Sequence, residues 1–323
     1  MKRQRTAGFL VILLTLLVPA VGLGQAAIKL AYKFTRGQPM VQVSDARAEG
    51  QLTVEENGKQ KLLVPLALKA NSTFSARVTQ VRPDGTATLK GSLVSMSVDC
   101  KQGDHAGSTR AKDGKVMMTA DGEEMPDPAT ARNLFRPITF RLTSLGIGPD
   151  DKEPGSLGFV KIDVAEVKPD TLVLATALAG DLAWVLPLPD NPIKVGDSWS
   201  QKAKASLPND QIAEGAITYA LLGFERVGGE QVARIGIKGS AKASSVSLTV
   251  AGEAGNPDTT GKVTVDEFTQ EIEGTATFLV NKGRLGKVDL TMRMHEVISQ
   301  PKPTGKKTAT ITATGKMTLT EKS

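Results

Sequence analysis

The chain is poor in the residues that build most reactive sites. Its 323 residues hold one cysteine, two histidines, two tryptophans and two tyrosines, and aromatics make up 4%. A single cysteine, Cys100, excludes an internal disulfide, so stability rests on burial. A chain of this length can bury about 75% of its unfolded surface, enough for one large core or two modest ones. Cys100 and His105 stand close together in "DCKQGDH", but two ligands fall short of the three or four that zinc takes. The acidic loops "ADGEEMPD" and "GPDDKE" do not follow the EF-hand spacing. We therefore expect no metal and no cofactor. Basic residues are interleaved with acids, as in "GFVKIDVAEVKPD", and form no stripe with stacking aromatics, which argues against a nucleic-acid partner.

Long apolar runs are missing as well, with one exception at the N-terminus. Lys2, Arg3 and Arg5 precede an apolar stretch from Gly8 to Leu23 broken by Thr15, and small residues Gly22, Gly24 and Ala26 follow. That order of charge, apolar run and small residues predicts a secretory signal peptide over 1–24, giving an exported protein, periplasmic or extracellular. The run is short for a membrane span, which needs about 20 apolar residues, and no stable span is expected after cleavage. Removing 1–24 takes away three positive charges and no negative ones, so the formal charge falls from +6 to +3.

From Ile28 onward the pattern is alternation. In "IKLAYKFT", Ile28, Leu30, Tyr32 and Phe34 fall on one face and Lys29, Lys33 and Thr35 on the other, the signature of a half-buried strand. The same period returns in "STFSARVTQV", "ITYALLGF", "QVARIGIKG", "GTATFLV", "GKVDLTMRM" and "KTATITATGKMTLT", separated by turn segments such as "RPDG" and "RVGGE". In "TATLKGSLVSMSV" the apolar parity changes between Leu89 and Val94, which predicts a bulge near Gly91. Helix signals are few. "PDPATARNLFRP" predicts a short helix near 127–136, with Asp127 as cap and Pro128 in the first turn. "PDTLVLATALAGDLAWVLP" predicts a helix over 171–185, with a buried strand as the alternative. The fold class is mainly β: antiparallel curved sheets, half-barrel or sandwich-like.

Two places look alike. "YKFTRGQPM" and "PIKVGDSWS" each bring a basic residue and a glycine, Gly37 or Gly196, ahead of an extended run. Residues 73–92 and 218–240 share an aromatic after threonine, a turn and a closing Lys-Gly-Ser. This pattern predicts two similar β modules, 25–187 and 188–323.

The residues also resemble a family of exported bacterial proteins of the domain-of-unknown-function kind, through "YKFTRGQ", "LPDNPIKVGDSW" and "GTATFLVNKGRLGKVDLTM". The resemblance spans most of 28–294. It implies an exported address and a β-rich build, and it carries no family activity.

Gly196-Asp197-Ser198 looks like the block of Gly-Asp-Ser-Leu esterases, which would make Ser198 a nucleophile. Trp199 stands where that class has leucine, and neither His105 nor His295 has an aspartate three positions earlier to complete the relay. The alternative is a turn in which Gly196 bends the chain, Asp197 and Ser198 bond its backbone, and Trp199 anchors a new strand; Gly37 would serve likewise. His295 lies with Arg293 on the face opposite Leu290, Met292 and Met294, the position of a surface residue. The leading expectation is a non-enzymatic exported β-protein that binds or scaffolds an envelope component. A periplasmic carrier of lipid or another hydrophobic ligand is the alternative, with the esterase behind both.

Overall fold

Thirteen antiparallel strands account for most of the described residues in the computed structural model, which describes residues 27–126, 135–146, 185–206, 212–250, 261–302 and 305–322. They are β1 (Pro39–Glu56), β2 (Lys59–Val81), β3 (Ala87–Gln102), β4 (His105–Lys112), β5 (Lys115–Ala120), β6 (Glu123–Pro126), β7 (Ile138–Leu142), β8 (Ser198–Ser206), β9 (Ile212–Val227), β10 (Glu230–Val250), β11 (Gly261–Leu279), β12 (Arg284–Lys302) and β13 (Gly305–Lys322). The predicted signal peptide and the two predicted helices fall essentially outside the described residues, among which no helix occurs.

Two-residue alternation is what makes these strands. In β13, Thr308, Thr310, Thr312 and Thr314 occupy one parity, and Ala309, Ile311, Ala313, Met317 and Leu319 the other. β-branched threonines suit a pleated surface in water while the apolar parity goes inward. Tight turns then fold neighbours together: Asn57 and Gly58 both take positive φ, 52° and 73°, between β1 and β2. That is the geometry of a two-residue hairpin turn whose twist matches the flanking strands. Asp113-Gly114, Asp121-Gly122 and Gly228-Gly229 have the same signs of φ at three further hairpins.

The sheet order is β6-β5-β4-β3-β2-β1-β13-β12-β11-β10-β9-β8, with β7 pairing the first part of β3. The two halves of the chain thus occupy the two halves of one sheet, and the expectation of two separate modules or a sandwich is corrected. The physical reason is the seam between the first and last strands, which runs antiparallel from Val41↔Lys322 to Glu56↔Lys307. It leaves no gap in the hydrogen-bond ladder where two modules could part. Among the described residues β6 and β8 end the order, so the sheet is open.

It is also curled, as twist accumulated over so many strands requires. One apolar cluster joins Ala46 and Leu68 of β1 and β2 to Tyr219, Ile235 and Phe278 of β9, β10 and β11, all on the same sheet face. Extended segments fill the bend. Leu30, Leu186 and Leu188 are 0–2% exposed. Ile28 and Ile193 exchange backbone hydrogen bonds of 2.8 and 2.9 Å, and the Tyr32 amide donates to Ser144 O at 2.7 Å. The Tyr32 hydroxyl donates to Leu186 O at 3.1 Å and accepts from Leu186 N at 3.0 Å. A second cluster around Phe74, Leu89 and Leu142 closes the β3–β5 side.

The parity change in β3 is a bulge at Val94, where Thr73 pairs Ser95 but Phe74 pairs Leu93. It sits three residues from the predicted place. Gly91 has a different role: a Cβ there would lie 2.7 Å from the Ala76 Cβ and the Phe74 Cζ, so only glycine lets these strands pack.

Candidate ligand-binding face

Gly196, Asp197 and Ser198 form a turn that launches a strand. Gly196 has φ 94°. Its amide donates to Leu221 O at 2.8 Å, and the Leu221 amide donates back to Asp197 O at 2.9 Å. The Asp197 carboxylate accepts from Lys194 N at 2.8 Å. Ser198 is the exposed first residue of edge strand β8, paired with Ala220. Trp199 stacks on Tyr219 with centroids 5.6 Å apart and donates its indole N–H to Pro187 O at 3.0 Å.

Gly37 is built the same way. It has φ 85°, its amide donates to Val78 O at 2.8 Å, and Val78 N donates back to Gln38 O at 3.0 Å. The Gln38 side chain accepts from Thr35 N at 2.9 Å, as Asp197 does from Lys194. In each case the strand residue after the doubly bonded one is bulged out, Thr79 in β2 and Leu222 in β9.

The histidines are engaged elsewhere. His105 Nδ1 lies 2.7 Å from the Asp121 carboxylate, and Asp121 also accepts from Ala106 N at 2.8 Å, tying the β3–β4 turn to the β5–β6 turn. That pairing raises the His105 pKa and lowers that of Asp121. His295 faces outward beside Glu267 at 4.0 Å. Cys100 donates to Gly107 O at 3.4 Å, and burial pushes its thiol pKa up. Among the described residues no three His, Cys, Asp or Glu side chains come together as metal ligands.

What the structure does assemble is apolar. A small cavity of about 20 Å³ is lined by Tyr32, Phe34, Met40, Val78, Leu89 and Leu285, with the Arg284–Glu321 pair in its wall. Their Nε–Oε1 distance is 2.8 Å, and the side chains are 17% and 5% exposed. Burial raises the Glu321 pKa and Arg284 partly offsets it. This volume accommodates about one water.

A larger feature lies further along the strands. Beyond the packed core, the inward parity stays apolar across six strands. Leu62, Val64 and Leu66 of β2 face Val54, Leu52 and Gly50 of β1. These meet Ala309, Ile311 and Ala313 of β13, which meet Ile298, Glu296 and Met294 of β12. Val265, Phe268 and Gln270 of β11 follow, then Ala243 and Ala241 of β10. With strands about 4.8 Å apart and two-residue steps of about 6.8 Å, this face is roughly 24 Å by 14 Å.

Its depth is graded. Val265 and Phe268, at 0% and 7% exposure, form a small cluster with Ala241, Met294 and Ile298. Ile311, Leu52, Val54 and Val64 are half-buried, and Leu62 is 50% exposed. The opposite face carries Arg47, Glu49, Gln51, Arg293, His295 and the β13 threonines. Among the described residues of these strands this outer parity is largely polar, with Leu63 at 51% exposure an apolar exception.

Glu296 is the ionisable exception among the named residues of this face, and Gln270 the neutral polar one. It is 4% exposed, sits between Phe268 and Ile311 across the ladder, and burial alone pushes its carboxyl pKa up. Sequence reasoning passed over it, although the signal was present. Along β12 the inward parity reads Val288, Leu290, Met292, Met294, Glu296, Ile298, one acid in an apolar row.

No family model and no curated protein matches the chain. Among solved structures it is similar to the translocator domain of autotransporter NalP from Neisseria meningitidis, with 8% identity over 87% of this chain and 88% of that one and a TM-score of 0.17. It is also similar to the β domain of the Bordetella autotransporter BrkA, with 12% identity over 88% of this chain and 99% of that one and a TM-score of 0.19.

Proposed function

We propose that this chain is an exported, non-enzymatic binding protein that takes up an apolar, lipid-like ligand on the open end of its inward sheet face. One observation carries the reading: the apolar parity continues across six strands beyond the core, and several of its residues stay accessible. Packing alone does not ask for this, because a strand that leaves the core normally turns polar on both faces. The largest accessible apolar patch of a protein is often functional. Its smaller dimension is close to the reach of one leaflet of a bilayer whose hydrocarbon core is about 30 Å thick. The charged, apolar and small-residue order of the N-terminus supports the exported address.

Binding through sheet edges is the weaker form of the scaffold reading. β6 has four residues, and β8, which ends the sheet among the described residues, carries Lys202, a device that discourages edge pairing. We also read the two halves of the chain as related units fused edge to edge, supported by the duplicated turns at Gly37 and Gly196.

The test is direct. Protein purified from its native envelope without detergent is extracted with organic solvent, and the extract is analysed by mass spectrometry. Amphiphile in stoichiometric amount is expected; a blank from monodisperse protein overturns the reading.

A further inference from the structure

We propose that Glu296 is the head-group anchor of this face and selects amphiphiles with a cationic amine over those with an anionic head. The inference rests on the ligand-binding reading above and deepens it.

The argument starts from what surrounds the carboxyl group. Among the described residues, its ladder neighbours present side chains without charge: Phe268 and Gln270 from β11, Ile311 from β13, and Met294 and Ile298 from its own strand. The nearby acids belong to the other face. Asp266, in the β11 bulge, accepts from Ser299 at 3.0 Å and from Lys306 at 2.8 Å. Glu267 lies beside His295. No arginine, lysine or histidine among the described residues hydrogen-bonds or ion-pairs with Glu296. At 4% exposure the carboxylate keeps little of its hydration, and a hydrogen-bonding cation would offset that loss.

A ligand amine supplies the missing partner. With its apolar tail along Ile311, Leu52 and Val64, its ammonium would reach the carboxylate at the deep end of the face and form a charge-assisted hydrogen bond. An anionic head placed there meets like charge, and among the described residues no cation pairs with Glu296 to offset it. A neutral alcohol gains the apolar contact and a weaker hydrogen bond. The order of affinity is therefore amine, alcohol, carboxylate for one and the same tail.

Calorimetric titration of the full-length mature protein with dodecylamine, dodecanol and laurate at pH 7 tests this. A hydrogen bond to a charged group is worth about 1.5–3 kcal/mol, so dodecylamine is expected to bind at least about ten-fold more tightly than laurate. In Glu296→Gln the amine and laurate affinities converge, and in Glu296→Leu dodecanol binds at least as well as in the wild type. Lowering the pH through the raised Glu296 pKa erodes the amine preference, since the neutral acid no longer pairs with an ammonium. Equal wild-type affinity for amine and laurate, with dodecanol bound, overturns the anchor and leaves the face standing. A preference that survives in Glu296→Gln also overturns it. Binding of none of the three overturns both readings. The wild-type ranking and its pH dependence decide the matter even where a variant does not fold.

Discussion

At the scale of single residues, the glycines sort by what surrounds them. Gly196 has positive φ with nothing within 4 Å of a Cβ position, whereas a Cβ on Gly215 would lie 1.8 Å from the Ser240 carbonyl oxygen. Gly196→Ala should therefore cost only the left-handed backbone, about 1–2 kcal/mol. Gly215→Ala must push β9 away from β10 and should lower the urea midpoint much further. Equal losses would show that the turn carries packing not evident in its contacts. The His105–Asp121 pair makes a second residue-scale prediction. The raised His105 pKa means its contribution is full below the unfolded value and fades as pH rises through the folded one. The lowered Asp121 pKa means its part is lost as pH falls through that value. A proton NMR titration should place His105 above an ordinary histidine, and Asp121→Asn should bring it back. Both groups are exposed, so overall stability should barely follow.

Elements reveal how much of the fold was legible and where legibility ended. The strands around Phe74, Tyr219, Phe278 and Leu290 were readable because alternation records which face meets water. The β3 parity change gave its bulge to within three residues, since an extra residue must flip every later side chain. Pairing was harder. Nothing in "PMVQVSDARAEG" or "KTATITATGKMTLT" says that these two strands are partners; that follows from the whole ladder closing on its ends. The inward-facing Glu296 was visible as a letter, but its burial depends on Phe268 and Ile311, which are distant in sequence or belong to other strands. The Arg284–Glu321 contact is likewise a product of β12 meeting β13, and Arg284 further donates to Pro39 O at 3.3 Å. Arg284→Ala should strand the buried Glu321 carboxylate and cost about 3 kcal/mol or more. Arg284→Met with Glu321→Leu should cost less than the single change. Thermal unfolding of the two variants decides which order holds.

For the whole molecule, the joined ladder predicts cooperativity. Residues 27–187 and 188–323 expressed as separate chains would each expose a long unpaired edge, β1 or β13, of matching register. Mixed at equal amounts, they should co-elute as one species on size-exclusion chromatography, while Gly50→Ala should weaken the association, since its Cβ would lie 2.2 Å from Thr312 O. Halves that stay monomeric and ignore each other would mean that the seam contributes little. The facing of the sheet has its own consequence: with arginines, glutamates and threonines on the outer side, the mature protein is expected to stay in the aqueous phase when envelopes are extracted with carbonate.

The seam also sets a timetable. β13 is the last strand to be synthesised, and its place lies between β1 and β12, in the middle of the ladder. A chain that emerges N-terminus first must hold β1 unpaired on one side until β13 arrives, and such late, distant pairings fold slowly. Escort by a holding chaperone during that interval would then be part of this protein's life history, set by the position of a single ribbon.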